Sequence, residues 1–96
     1  MQTIGWTYFI LNQKTNMVKI GKSTDVGTRL ISLQTASPDE LCVILILPNI
    51  KDFSEKNLHH QFARYHVRGE WFHYDVEVKN FCEMWFKVLC AYTNSL

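Results

Sequence analysis

The sequence has few of the residues that reverse or cross-link a chain: four glycines, two prolines and three cysteines in 96 residues. The odd cysteine count, with no CxxC or Cys/His pair at zinc spacing, argues against a disulfide framework and a structural zinc site. The longest apolar run, LCVILIL at residues 41–47, is too short to cross a bilayer. The N-terminus lacks the basic start, apolar stretch and cleavage site of a signal peptide. We therefore expect a soluble, intracellular protein with no membrane partner.

Net charge is also low, at +1, but the charges are unevenly distributed. Residues 1–34 contain four cations, Lys14, Lys19, Lys22 and Arg29, and a single acid, Asp25. A near-neutral chain is poorly suited to tight, sequence-indifferent binding of nucleic acid. A local cationic surface suits a brief encounter with phosphate better.

The residues that are abundant predict one compact domain over residues 1–96, since 47% of them are apolar. Residues 6–11 and 17–22, joined by a polar link, predict a β-hairpin. Residues 23–35 predict a short helix and 41–47 a strand buried on both faces. Helical periods follow from Asp52 and over about 75–93, with VRGEWF between them as a turn and an apolar anchor. The predicted fold class is α+β: a small three-stranded antiparallel sheet flanked by helices, in the order β-β-α-β-α-α.

Four polar residues are candidates for chemistry: Tyr8, Lys19, Arg29 and Glu55. Each also has a simpler interpretation. Tyr8 can be a strand tyrosine with its hydroxyl at the surface, and Lys19 can guard the solvent side of the hairpin. Arg29 can pair with Asp25, one helical turn earlier. Glu55 can form a capping box with Asp52 at the start of a helix.

Taken together, the four candidates contain the parts for phosphodiester hydrolysis. Pairing of the two strands can bring Tyr8 near Lys19, and the helix with Arg29 begins where the second strand ends. The reaction needs a cation for the charge of the transition state, a metal site and a base for water. One carboxylate, Glu55, is enough for Mg²⁺, which keeps most of its waters and takes ligands from the substrate.

Five segments in this order resemble the GIY-YIG nuclease superfamily: TYFI, VKIGKS, RLISLQT, SEKNLHHQF and GEWF. The closest similarity is to a small branch in phages, viruses and microbes with KIG in place of YIG. It covers residues 8–72. The resemblance implies a small three-stranded antiparallel sheet with helices, and a single Mg²⁺ or Mn²⁺ ion as cofactor.

The resemblance also implies roles for individual residues. Tyr8 matches the tyrosine beside the attacking water, and Lys19 occupies the place of the tyrosine in the second motif. Gly21 matches the glycine that lets the strand end turn away. Arg29 matches the arginine that contacts the scissile phosphate, and Glu55 matches the carboxylate that binds the metal.

The sequence departs from the family pattern at several points. Leu33 stands where several members have a histidine, and no counterpart of the family's later asparagine is evident. The general base is therefore open, with Tyr8 the first candidate and Lys22 the second. His59 can contact phosphate or support the metal site, one turn after Glu55.

Three further residues have two interpretations each. Lys14, in the hairpin link, can touch the DNA backbone or be a solvated turn residue. Trp71 and Phe72 can stack on a base, but a Trp-Phe pair next to glycine more often packs against a sheet.

The sequence thus predicts a metal-dependent endonuclease domain with DNA as its partner. The alternative is a catalytically inactive nucleic-acid-binding module on the same fold. A third possibility is a protein-interaction domain that uses exposed aromatic residues such as Trp6 or Tyr74. The last helix is rich in large apolar residues, including Phe81, Trp85 and Phe86, which suggests a homodimer or a protein partner there.

Overall fold

The computed structural model describes residues 5–94. The strands and helices, in chain order, are β1 (Trp6–Asn12), β2 (Met17–Ser23), α1 (Val26–Thr35), β3 (Leu41–Pro48), α2 (Glu55–Gln61), β4 (His66–Arg68), β5 (Trp71–His73) and α3 (Val76–Asn94). Single turns of 3₁₀ helix, Lys51–Phe53 and Ala63–Tyr65, precede and follow α2. The two ends of the predicted domain, residues 1–4 and 95–96, lie outside the described residues.

The prediction of a three-stranded sheet in the order β-β-α-β-α-α is wrong. The sheet has five strands in the spatial order β3-β1-β2-β5-β4, and each neighbouring pair is antiparallel. The order along the chain is β-β-α-β-α-β-β-α. The two additional strands, β4 and β5, are three residues long and come from the segment that we interpreted as a turn and an anchor. Gly69, with φ of 56°, provides the left-handed backbone for the reversal between them.

β1 and β2 form the predicted hairpin. Asn12 pairs with Met17 at its closed end, and the Asn12 Oδ1 atom accepts a hydrogen bond from the backbone N–H of Lys14 at 3.1 Å. Asparagine is favoured in such turns because its side chain can satisfy nearby backbone groups. The turn sets the strand register, and this register places Tyr8 opposite Gly21 near the open end of the hairpin.

Each face of the sheet has its own apolar core, because successive side chains of a strand point to opposite faces. The face under α2 and α3 has the larger set of buried residues, called here the large core: Phe9, Leu11, Val18, Ile20, Leu45, Leu47, Leu58, Phe62, Phe72, Val78 and Cys82. The face under α1 has the small core: Tyr8, Ile10, Val26 and Leu41. Leu33, on α1, packs against the small core and is half-buried.

β3 was predicted to be buried on both faces, and this is confirmed in part, because Leu45 and Leu47 belong to the large core and Leu41 belongs to the small core. In the described sheet, β3 is an edge strand that pairs with β1. Leu45 and Leu47 are buried, but the side chain of Ile46 is 40% exposed. The uniformly apolar composition of this strand hid its position at the edge.

α3 begins directly after Asp75, where the sequence predicts a helix start. Val78 is buried, and Phe81 and Trp85 are half-buried against the large core. Phe86, in contrast, is 55% exposed. A partner surface on this helix stays a prediction. Within residues 5–94, no helix has both the length and the apolar character needed to pass through a membrane.

Candidate functional site

The candidate site lies beside the second half of β2, where this strand runs past the end of its neighbour. β5 pairs with β2 as far as the Lys19–Trp71 pair, and the Ile20 N–H then donates to the Glu70 carbonyl at 2.9 Å. Residues of β2 after Ile20 therefore border a space that the short β5 leaves open. Side chains from β1, β2, α1, α2 and the β4–β5 turn reach this border, called here the rim: Tyr8, Lys19, Lys22, Arg29, Glu55, His59 and Glu70.

Gly21 is required at the rim because the Tyr8 ring lies directly over it. The two residues face each other across the hairpin. A Cβ atom on residue 21 would overlap the Tyr8 hydroxyl group and lie 2.5 Å from its Cζ atom. Real Cβ atoms do not approach a ring so closely. Because Gly21 has no side chain, the Tyr8 ring can extend across β2 towards the rim.

The Tyr8 hydroxyl group is buried and unsatisfied. The residue is 0% exposed, and its oxygen has no hydrogen-bond partner of good geometry among the described residues. Burial raises the pKa of this phenol, and the negative charge of Glu70 raises it further, whereas the nearby Arg29 guanidinium lowers it. An unpaired buried polar group costs free energy, so it is a departure from ordinary packing that calls for an explanation. It also excludes the simpler interpretation of Tyr8 as a strand tyrosine with an exposed hydroxyl.

Arg29 reaches the Tyr8 hydroxyl from α1 and is itself exposed. Its simpler partner, Asp25, is the N-cap of α1 and is engaged elsewhere. The Asp25 carboxylate accepts hydrogen bonds from the Thr28 N–H at 3.0 Å and the Thr28 hydroxyl at 2.8 Å, which lower its pKa. In the described part of the chain, no ion pair joins Asp25 to Arg29. The guanidinium group therefore remains available at the rim.

Lys19 does not guard an open strand face as its simpler interpretation predicts. Its side chain is only 15% exposed, and its Nζ atom lies 3.0 Å from Oε1 of Glu70. The ammonium group also lies 5.8 Å from the centroid of the Trp71 ring. These contacts hold the lysine between the β4–β5 turn and the small core.

Glu55 enters the rim as the first residue of α2. The cap of this helix is Ser54, whose hydroxyl accepts from the Asn57 N–H at 3.1 Å, so the predicted capping box with Asp52 is wrong. Asn49 fixes the entry further, since its Oδ1 atom accepts from the Glu55 N–H at 3.2 Å. The Ser54 cap and the contact with Asn49 therefore together fix where α2 begins, and with it the position of Glu55.

The charges around Glu55 show which side chains surround it. Burial raises the pKa of its carboxyl group, and the charge of Glu70 and a hydrogen bond with Glu70 raise it further. The positive charges of His59 and Lys22 act in the opposite direction. Two acids and two bases from α2, β2 and the β4–β5 turn thus meet at one place.

His59 supports this arrangement from the large-core side. Its Nε2 atom lies 2.6 Å from the Ile20 carbonyl oxygen, so this nitrogen bears the proton and donates. Its ring packs edge-on against Phe72, with centroids 4.9 Å apart. Phe72 is fully buried, which excludes base stacking by this ring, while Trp71 is half-buried beside Lys19.

One candidate is not brought to the rim, and one member of the rim was missed. Lys14 lies in the hairpin turn at the opposite end of β2, with its Nζ atom 3.7 Å from Asp39. Glu70 was not a candidate, although it lies within the GEWF segment. Its only sequence signal is that an acid directly precedes the apolar pair, and its partners depend on how β5 pairs with β2.

Few donors at the rim could hold a hard divalent cation. Glu55 offers carboxylate oxygens in a half-buried position, and the unpartnered Tyr8 hydroxyl marks polar space beside it. Among the residues that the structure describes, no group of three or more His, Cys, Asp or Glu side chains could hold a metal ion. A cation here would therefore depend on few protein ligands, which Mg²⁺ tolerates because it retains water and takes substrate oxygens.

Comparison with known proteins gives one relationship. No curated protein and no solved structure is significantly similar to this chain. The profile of the T5orf172 domain matches residues 5–87, which include every member of the rim. The T5orf172 domain is a phage-derived domain related to nuclease-like folds, and it is compatible with a nuclease-like or nucleic-acid-binding role. The match covers most of the chain, and the chain therefore belongs to the T5orf172 domain family.

Proposed function

We propose that this chain is a metal-dependent endonuclease domain of the GIY-YIG type that hydrolyses DNA phosphodiester bonds. The observation that supports it most is the convergence of Tyr8, Arg29 and Glu55 with Lys19 at the rim, from four separate elements. The nuclease-like relationship of the T5orf172 domain supports the same reaction class.

Four of the rim residues have roles that follow from their surroundings. Arg29 and Lys19 supply positive charge for the phosphate oxygens, whose negative charge grows as the bond to the attacking water forms. Glu55 would hold the divalent cation. When bound, that cation neutralises phosphate charge and helps to lower the barrier to hydrolysis.

Tyr8 is assigned to orienting the attacking water. Burial raises the pKa of the phenol, so the hydroxyl is protonated at neutral pH and has a hydrogen to donate. Its unpartnered oxygen can also accept a hydrogen bond from water. A group that donates and accepts in a fixed place can hold water in line with phosphorus without itself losing a proton.

A cleavage assay with a near-isosteric variant tests the proposal. Supercoiled plasmid, branched DNA and single-stranded DNA are incubated with the protein in Mg²⁺, Mn²⁺ and EDTA. We expect metal-dependent cutting that falls by at least about a hundredfold in Glu55→Gln, with an unchanged melting temperature. Glu40→Gln, an exposed change before β3, is the matched control and should cut normally. Equal cutting by Glu55→Gln and the parent would show that the assignment is wrong.

A second candidate function is nucleic-acid binding without hydrolysis, and one contact favours it. The ion pair with Glu70 partly cancels the charge that Lys19 would offer to a phosphate. Lys22 and Arg29 are exposed, so they can still bind the backbone of a nucleic acid. DNA retardation that weakens steeply with salt, together with no cleavage in either metal, would identify this function.

A further inference from the structure

The second half of β2 has a backbone edge that faces away from β1. The Ile20 N–H donates to the Glu70 carbonyl at 2.9 Å, and the Ile20 carbonyl accepts from Nε2 of His59 at 2.6 Å. Neither partner belongs to β1, so Ile20 directs both of its backbone groups to the side of β5. Successive residues of an antiparallel strand direct these groups to opposite sides. Because the pairing of β1 with β2 has no register shift, Gly21 faces β1 and Lys22 again faces the side of β5.

The Lys22 N–H has no partner on that side among the described residues. In the register of β2 with β5, the residue that would face Lys22 is Arg68, but the chain reverses at Gly69 and Arg68 belongs to β4, on the far side of β5. Outside the strand pairings, no hydrogen bond within residues 5–94 uses this N–H. β2 ends at Ser23, so no second outward N–H follows within the strand. A partner strand needs a row of such groups, whereas a single N–H suits a single acceptor.

The surroundings of this N–H favour an anionic acceptor. The Lys22 side chain is exposed, and α1, which begins shortly after β2, adds the exposed side chain of Arg29. The Tyr8 ring lies over Gly21, so its hydroxyl group is close to the Gly21–Lys22 peptide that carries the N–H. Phosphate oxygens in nucleic acids are bound by backbone N–H groups as well as by lysine and arginine side chains. A backbone donor beside two exposed cations therefore matches a phosphate.

We propose that the backbone N–H of Lys22 donates a hydrogen bond to a non-bridging phosphate oxygen of the nucleic acid. The inference rests on the proposed function, because it concerns the phosphate that is bound at the rim. The fold holds a backbone donor in place, so binding costs it no side-chain entropy. The cationic side chains attract the phosphate, and the Lys22 N–H fixes its position beside Tyr8.

Replacement of one backbone nitrogen by oxygen tests the proposal. In a chain assembled by chemical ligation, an ester replaces the Gly21–Lys22 amide, which removes the N–H and keeps the lysine side chain. The matched control is an ester between Leu45 and Ile46 on the outer edge of β3. Ile46 also faces away from β1, because it is opposite Tyr8, whose backbone groups are directed to β2. Each ester weakens one strand-pairing carbonyl, so the two should lower the melting temperature alike.

DNA retardation in EDTA and plasmid cleavage in Mg²⁺ are then compared between the two ester proteins. Relative to the Ile46 ester, the Lys22 ester should bind DNA about tenfold more weakly and cut about a hundredfold more slowly. Its salt dependence of binding should stay unchanged, because an ester removes no charge. Lys22→Met removes the charge and keeps the N–H, so it should reduce that salt dependence. Equal DNA affinity of the two ester proteins would overturn the inference.

Amide hydrogen exchange tests the same contact in the unmodified chain. The Lys22 N–H should exchange rapidly in the free protein and slowly once a short DNA duplex is added in EDTA. The Ile46 N–H should exchange rapidly in both states. Slow exchange at Lys22 in the free protein would show that this N–H is already paired. That result, or a Lys22 N–H that DNA does not protect, would contradict the proposal.

The phosphate contact and the proposed nuclease activity fail in different ways. Weaker DNA binding by the Lys22 ester, with no cleavage of any substrate by the wild-type chain, would refute the nuclease and retain the contact. Metal-dependent cleavage that needs Glu55 but is equal in the two ester proteins would refute the contact and leave the nuclease intact. A wild-type chain that neither binds nor cuts DNA would refute both.

Discussion

The two faces of the sheet differ in how completely they are closed. The large core has eleven buried residues under two helices, whereas the small core has four under α1, of which α1 itself contributes only Val26. The small-core face is also the face of Tyr8 and Lys19. The difference shows that the fold obtains its apolar burial mainly on one side and leaves polar, reactive side chains on the other.

The rim lies where the two faces meet. Tyr8, Lys19 and Arg29 approach it from the small-core side, while Glu55 and His59 approach from α2 on the large-core side. They can meet because β5 is short and Gly21 has no side chain. We therefore expect substitutions in the large core to affect mainly the free energy of unfolding. Substitutions on the small-core face should affect mainly the cleavage rate.

The largest expected effect on stability is in the large core. Phe62→Ala removes a fully buried ring that packs edge-on against Phe81, with centroids 5.4 Å apart. We expect it to lower the free energy of unfolding by about 3–5 kcal/mol, because it leaves a cavity in a close-packed region. Leu33→Ala, beside the small core, should cost roughly 1–2 kcal/mol, since this leucine is only half-buried. Equal losses in urea denaturation would show that the two faces contribute alike.

The sequence predicted the elements that have a clear period, and missed those that depend on long-range pairing. The β1–β2 hairpin follows from its strand composition and polar link, and α1 and α3 follow from their helical periods. β4 and β5 do not, because three residues are too few to show a period. Glu70 was missed for the same reason: its importance arises from the turn between two strands that the sequence does not reveal.

Gly21→Ala should have an intermediate effect on stability, because the added methyl group and the Tyr8 ring need the same space at the rim. The new Cβ atom needs the space of the Tyr8 ring, so we expect a loss of roughly 1–3 kcal/mol from overpacking. The displaced phenol should also lower the cleavage rate. Urea denaturation and the plasmid assay measure the two losses.

A double-mutant cycle distinguishes this contact from a general intolerance of alanine at position 21. Tyr8→Leu shortens the side chain that occupies the space, so Gly21→Ala should cost less in the Tyr8→Leu background than in the wild-type chain. Strictly additive losses would mean that the ring and the glycine do not interact, and the account of Gly21 would have to be abandoned.

The smallest effect on stability is expected from Tyr8→Phe, and its sign is the informative part. The hydroxyl is buried, and its only polar contact, with Arg29, falls short of a well-formed hydrogen bond, so its removal should leave the free energy of unfolding unchanged or raise it by up to about 1 kcal/mol. The same change should slow cleavage by about a hundredfold if the hydroxyl orients water.

Tyr65→Phe is the matched control. Its hydroxyl hydrogen-bonds to Glu77 at the base of α3, away from the rim, so its loss should weaken the fold slightly and spare cleavage. A Tyr8→Phe protein that is less stable but cuts normally would make Tyr8 a structural residue. Greater stability joined to slower cutting would instead show that the small-core face keeps this unsatisfied group for its chemistry.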